Sequence, residues 1–150
     1  MLADEVASIA KKMYDITNIQ DILFDEVQEG FNRPSLYFPP VEQETVDDTL
    51  STFGYDNSMY VKVFSDTTKA AMEIAEQITH TVNRGRNLIP VVNVDGEPTG
   101  QKFRLKNISY KAIEIGTAQL YVRWKSIYTY APGETHTRAA KIVFNILTKS

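Results

Sequence analysis

The stretch that most constrains this chain is residues 120–130, where strict two-residue alternation runs without a break. Leu120, Val122, Trp124, Ser126, Tyr128 and Tyr130 fall on one side, and Tyr121, Arg123, Lys125, Ile127 and Thr129 on the other. Successive side chains of a strand point to opposite faces, so this pattern predicts a long strand with one apolar face and one wet face. Such a strand needs a sheet around it and a second layer over its apolar side.

Two helices are predicted to supply that layer. Leu2, Val6, Ile9, Ala10 and Met13 recur at helical spacing, with Lys11 and Lys12 off the stripe and Asp4 and Glu5 in the first turn, where the helix dipole favours anions. Residues 67–83 repeat the pattern through Ala71, Ile74, Ala75, Ile78 and Val82, with Ser65 or Asp66 as the expected cap and Gly85 as the expected left-handed terminator. Between the helices, residues 22–24 read as a short strand. A second extended stretch over residues 35–46 is interrupted by Pro39 and Pro40, which cannot donate to a ladder. Residues 42–57 are polar and acidic, with Phe53 and Gly54 expected at an exposed tip. They read as the distal part of a long hairpin returning along residues 59–64, an arm with too few apolar residues to build a core of its own.

Beyond the second helix the chain reads as sheet. Residues 88–94 are a β-branched run, Asp95 and Gly96 open a loop through Pro98 and Gly100, and Lys102, Arg104 and Lys106 alternate with Phe103 and Leu105. Gly116 and Thr117 match a two-residue hairpin turn with glycine first. Residues 139–149 alternate through Ile142, Phe144 and Ile146 but also carry a helical stripe; their β-branched and aromatic content favours a strand, so residues 131–150 read as a C-terminal arm. The expected fold class is α+β: an antiparallel-rich mixed sheet with two helices packed on one face and a projecting β-hairpin, in a single domain over residues 1–150.

Composition narrows the function classes. A chain of 150 residues with 43% apolar content, eight Tyr and seven Phe at net charge −3 has enough apolar material for one core and does not read as disordered. Without Cys it has no disulfide and no thiolate zinc site. No apolar run approaches a membrane span, and Asp4 and Glu5 stand where a signal peptide carries cations, so a soluble protein made in the cytoplasm, with no membrane partner, is expected. Charge is uneven: residues 1–60 hold twelve acids against three bases, and residues 61–150 thirteen bases against seven acids. Two surfaces of opposite sign would serve head-to-tail self-association or two different partners, although folding can also intermix the charges.

Catalytic patterns are weak. His80 and His136 read as surface histidines. Asp47 and Asp48 with Glu42 and Glu44 could offer oxygens to a hard cation, but lack the glycine-containing spacing of a calcium loop and read as a solvated arm. Gly96 and Gly100 form no phosphate loop, and no nucleophile elbow occurs. No catalytic residue, cofactor or metal is expected. The best local signal is basic: Lys102, Arg104 and Lys106 on one strand with Arg123 and Lys125 on its neighbour and Tyr121 between. That pattern fits a nucleic-acid-binding sheet face, or simply a solvated face whose cations discourage aggregation. It also fits one half of a contact in which the basic strands of one copy meet the acidic arm of the next.

The order of these elements resembles the tail terminator proteins of long-tailed bacteriophages and prophages of Gram-positive hosts. The resemblance is carried by the opening helix to Tyr14, the run from Ile22 to Phe31 leading through Pro34 into Leu36, Tyr37 and Phe38, the strand at residues 60–64, the helix ending at Arg84 and Gly85, and the strand at residues 121–130. It covers most of residues 1–130 and departs at residues 95–107 and after Pro132. It implies a non-enzymatic virion protein that forms a ring, a hexamer in such proteins, capping the tail tube at the neck and docking the head-side connector or stopper, with DNA passing through the lumen without sequence-specific binding. Its partners would then be itself, the tube protein and the connector. The expected interface residues are Glu42, Glu44, Asp47, Asp48 and Phe53 on the arm and Lys102, Arg104, Lys106, Arg123 and Lys125 on the strands. Another head-to-tail joining or completion protein is the alternative.

Overall fold

The computed structural model describes residues 2–27 and 30–130. Helix α1 spans Leu2–Thr17 and helix α2 spans Thr68–Arg84. Seven strands accompany them among the described residues: β1 Ile22–Phe24, β2 Ser35–Phe38, β3 Glu42–Asp47, β4 Thr52–Phe64, β5 Leu88–Val92, β6 Pro98–Glu114 and β7 Thr117–Thr129. They form one mixed sheet in the order β1-β2-β4-β7-β6-β5, with β3 lying beside β4. Among the described residues β1 and β2 pair in parallel and the other pairings are antiparallel. The fold is therefore α+β, as the alternation of helices and strand runs predicts.

The β4–β7 ladder is the spine. Every residue of β4 has a partner on β7, from Thr52 opposite Thr129 to Phe64 opposite Thr117. Along it, Met59, Val61 and Val63 of β4 and Ala118, Leu120, Val122 and Trp124 of β7 are fully buried on the face that the helices cover. From α1, Ile9, Ala10 and Met13 enter that core; from α2, Ala71, Ala75, Ile78 and Val82 do. These are the residues of the two predicted stripes. Each large aliphatic side chain taken fully out of water contributes about 1.5–3 kcal/mol.

The caps differ in detail from expectation. Thr67, not Ser65 or Asp66, caps α2: its backbone is extended and its hydroxyl accepts from the Ala70 amide. Gly85 has φ −82°, and the left-handed turn falls instead on Arg86 and Asn87, at φ 62° and 60°. Asn18 ends α1 at φ 58°, with its amide on the Tyr14 carbonyl at 2.7 Å. At the β6–β7 hairpin, Gly116 takes the positive φ of 73° as the second turn residue, after Ile115, and Thr117 already belongs to β7. Pro98 and Gly100, expected in a loop, lie at the start of β6. The long hairpin forms, but its inner strand β4 is the centre of the sheet. The tip is at residues 48–51, and Phe53 is packed with Tyr55, Tyr128 and Tyr130 at centroid distances of 5.2–5.8 Å. Phe53 is therefore half-buried in an aromatic cluster of its own chain, not an exposed tip. The expected arm at residues 131–150 and His136 lie outside the described residues.

Candidate functional site

Among the described residues nothing packs over the face of the β3–β4–β7–β6 section turned away from the helices, and alternation decides which side chains stand on it. Because Met59, Val61 and Val63 point inward, Asp56, Ser58, Tyr60 and Lys62 point outward. On β7 the outward set is Gln119, Tyr121, Arg123, Lys125 and Ile127. Register carries the same parity to the margins: Glu42 is opposite Ser58 and Glu44 opposite Asp56, while Ser109 is opposite Tyr121 and Lys111 opposite Gln119. A bulge between Leu105 and Asn107 inserts Lys106 into β6.

Acids and bases of the two sequence halves thus share this face. Lys125 Nζ donates to Asp48 Oδ1 at 3.1 Å, and Lys106 Nζ to Asp56 Oδ1 at 3.0 Å, both within one chain. Gly54 makes the first pair reachable: a Cβ there would stand 3.0 Å from Lys125 Cε and 3.1 Å from the Ser126 carbonyl, so its absence lets the lysine stem lie flat across β4. The Thr52 hydroxyl donates to Asp48 at 2.6 Å, and this bond together with the Lys125 ammonium holds the Asp48 carboxyl below its ordinary range. Glu42, Glu44 and Asp56 then gather with Arg123 and Tyr121 around an open trough of about 290 Å³. Next to it Tyr60 and Tyr121 stack at 4.9 Å; burial, followed by the Tyr121 and Glu42 charges, pushes the Tyr60 phenol up.

Of the ten residues singled out in the sequence, Glu42, Glu44, Arg123 and Lys125 meet on the bare face, with Asp48 and Lys106 tied to it by ion pairs. Lys102 and Arg104 are exposed farther along, where β6 pairs with β5. Asp47 is exposed, and its register with Phe53 puts it on the opposite side of β3 from Glu44. Asp56, the partner of Lys106, was missed, although its spacing from Ser58 and Tyr60 places it on the same face.

Beneath the sheet a polar chain ties the layers together. Gln43 Nε2 donates to Asn57 Oδ1 at 2.9 Å, Asn57 Nδ2 to Ser126 Oγ at 2.7 Å, and Ser126 Oγ to the Glu5 carboxylate, whose oxygens lie 2.7 and 2.8 Å away. Trp124 Nε1 also donates to Glu5 at 3.3 Å. One acid in the first turn of α1 thus satisfies the polar groups of the strand that the sequence marks most strongly.

Chemically, this face offers carboxylates, cations and a stacked pair of phenols. His80 is exposed on α2. Among the described residues, no group of three or more His, Asp or Glu could hold a metal ion, and no helix is long and apolar enough to cross a membrane.

Comparison with known proteins defines the class: the chain is a phage-related protein with relatives in a Gram-positive Bacillus. It belongs to the family of the phage-like element PBSX protein XkdJ of Bacillus subtilis (strain 168), with 32% identity over 126 residues, 84% of this chain and 86% of XkdJ. The uncharacterized protein YqbJ of the same strain is 34% identical over the same length and the same shares. The chain matches no protein-family model.

Proposed function

We propose that this protein is a non-enzymatic virion component of the neck, a tail terminator that closes into a ring on the end of the tail tube and presents a docking surface to the head-side connector. The observation that carries this reading is the membership, over most of the chain, in a family that includes a protein of a phage-like element. The resemblance in element order points the same way, and the structure adds physical support. A ring of identical subunits needs two complementary, non-identical surfaces on each copy. Here an acidic margin at β3 and a basic stretch of β6 lie on opposite sides of the sheet.

The test is assembly. Purified protein is sized by chromatography with light scattering, imaged by negative-stain electron microscopy, and added to polymerising tail tube protein. Rings of uniform size that cap tubes and stop their growth are the expected result, with no need for a metal or cofactor. Protein that stays monomeric at all concentrations and leaves tube growth unchanged would refute the proposal. DNA binding that weakens steeply with salt, without any ring, would favour a nucleic-acid module instead.

A further inference from the structure

Among the described residues four strand edges lack a strand partner; those of β1 (Ile22–Phe24) and β5 (Leu88–Val92) carry no charged side chain, and the other two do. Of the charged two, one is the outer margin of β3, which pairs only with β4. The other is the distal part of β6: β5 pairs along residues 98–104, and no strand follows it along residues 106–114. An unpaired edge is a ready template for another chain, and proteins blunt such edges with charge. These two edges carry opposite charge. Strand β3 holds Glu42, Glu44 and Asp47 and no base, whereas the free stretch of β6 holds Lys111 and Lys106, the latter paired to Asp56 of its own chain, against Glu114.

We infer that the β3 edge of one copy pairs with the free β6 edge of a second copy, joining the two sheets in a head-to-tail contact. This inference rests on the ring reading above and names the surfaces that would close the ring. Three features select this occupant. Pairing β3 with another β3 would set like charges against each other, which destabilises a ladder. The two edges lie at opposite margins of the four-strand section β3-β4-β7-β6, so the contact is heterologous and repeats from copy to copy. Direction also agrees: β3, β4, β7 and β6 are antiparallel in turn, so β3 runs opposite to β6, and a neighbour added in the same orientation continues the antiparallel pattern.

Face parity then fixes what meets. Glu42, Glu44 and Val46 must share a face with Asn107, Ser109 and Lys111. The register that sets Glu42 against Lys111 sets Glu44 against Ser109, giving an ion pair and a hydroxyl–carboxylate contact across the seam.

The natural chain has no Cys, so cross-linking can be clean. Glu44→Cys and Ser109→Cys are made singly and together in the full chain, folding is checked by circular dichroism, and a short bismaleimide is applied. Each single variant should remain uncross-linked. The mixture of the two should give a dimer, and the double variant a ladder ending at the subunit number of the ring. In parallel, Lys111→Glu should shift the population from rings to smaller species, and adding Glu42→Lys in the same chain should restore them. Cross-linked dimers in a single variant would overturn the heterologous contact. Rings that form in every variant, with no cross-link between the two positions, would overturn the edge pairing while leaving the ring reading intact. Monomers at all concentrations in the natural protein would overturn both.

Discussion

Replacing Gly116 with alanine isolates one close approach on which the junction of α2 and the β6–β7 hairpin depends. Gly116 has φ 73°, and a Cβ there would stand 2.7 Å from the Ser65 carbonyl oxygen and 2.8 Å from Arg33 Nη1. Three hydrogen bonds converge at the same point: Ser65 N–H to the Gly116 carbonyl at 2.9 Å, Gly116 N–H to Thr68 Oγ1 at 3.0 Å, and Arg33 Nη1 to the Ser65 carbonyl at 2.7 Å. A left-handed alanine costs about 1–2 kcal/mol. About 0.4–1 kcal/mol of that is recovered from the stiffer unfolded chain. At Gly116 the added methyl must also displace the Arg33–Ser65 bond, and a hydrogen bond to a charged group is worth about 1.5–3 kcal/mol. The total is about 2–4 kcal/mol. Gly96 is the internal control, at φ 80° with nothing within 4 Å of its would-be Cβ, so Gly96→Ala should cost about 1 kcal/mol or less. At roughly 2–4 °C per kcal/mol for a chain of this size, thermal melts followed by circular dichroism should separate the two variants by several degrees. Equal losses in the two variants would refute the close-contact reasoning and leave backbone strain as the whole effect.

Glu5→Ala should destabilise the protein by about 1–3 kcal/mol in urea titration, because Ser126 and Trp124 lose their shared acceptor; an unchanged midpoint would mean that water replaces it. Tyr128, whose phenol is pushed up by burial and then by the Glu5 charge, should titrate at lower pH in Glu5→Gln than in the natural protein, as read by NMR. The Asp48 carboxyl is held low by Thr52 and Lys125, so the stability it contributes is fully present above its ordinary value of 3.8 and is lost as pH falls through the lowered folded value. Lys125→Met should move the Asp48 titration up toward that ordinary value while leaving the Thr52 bond in place; no movement would show that the ion pair is absent in solution.

Periodic features were legible in the sequence, and features made by distant partners were not. The stripes of α1 and α2, the three residues of β1 and the inward set of β7 follow from spacing alone, because burial on one face is imposed by the same geometry that defines the element. The caps slipped by one or two residues, since Thr67, Asp66 and Ser65 are all competent caps and only the path of the chain out of β4 selects among them. The acidic arm reads as unsupported until its inner strand is seen paired with β7, some seventy residues away, a ladder that no local signal announces. The same pairing brings Asp48 to Lys125 and Asp56 to Lys106, so part of the charge separation along the chain is cancelled within one molecule. Glu42, Glu44 and Arg123 remain as the legible part of the candidate surface, and alternation was the signal that could have added Asp56.

The uninterrupted β4–β7 ladder has a mechanical corollary. Its two ends are marked by protruding apolar residues, Leu50 on the β3–β4 connection, 88% exposed, and Ile115 on the β6–β7 connection, 92% exposed. Thirteen successive residues at about 3.4 Å each make a spar roughly 40 Å in contour between them. A body gripping the molecule at one tip and a body gripping it at the other are therefore held at a set spacing, which shortens only if rungs of that ladder break.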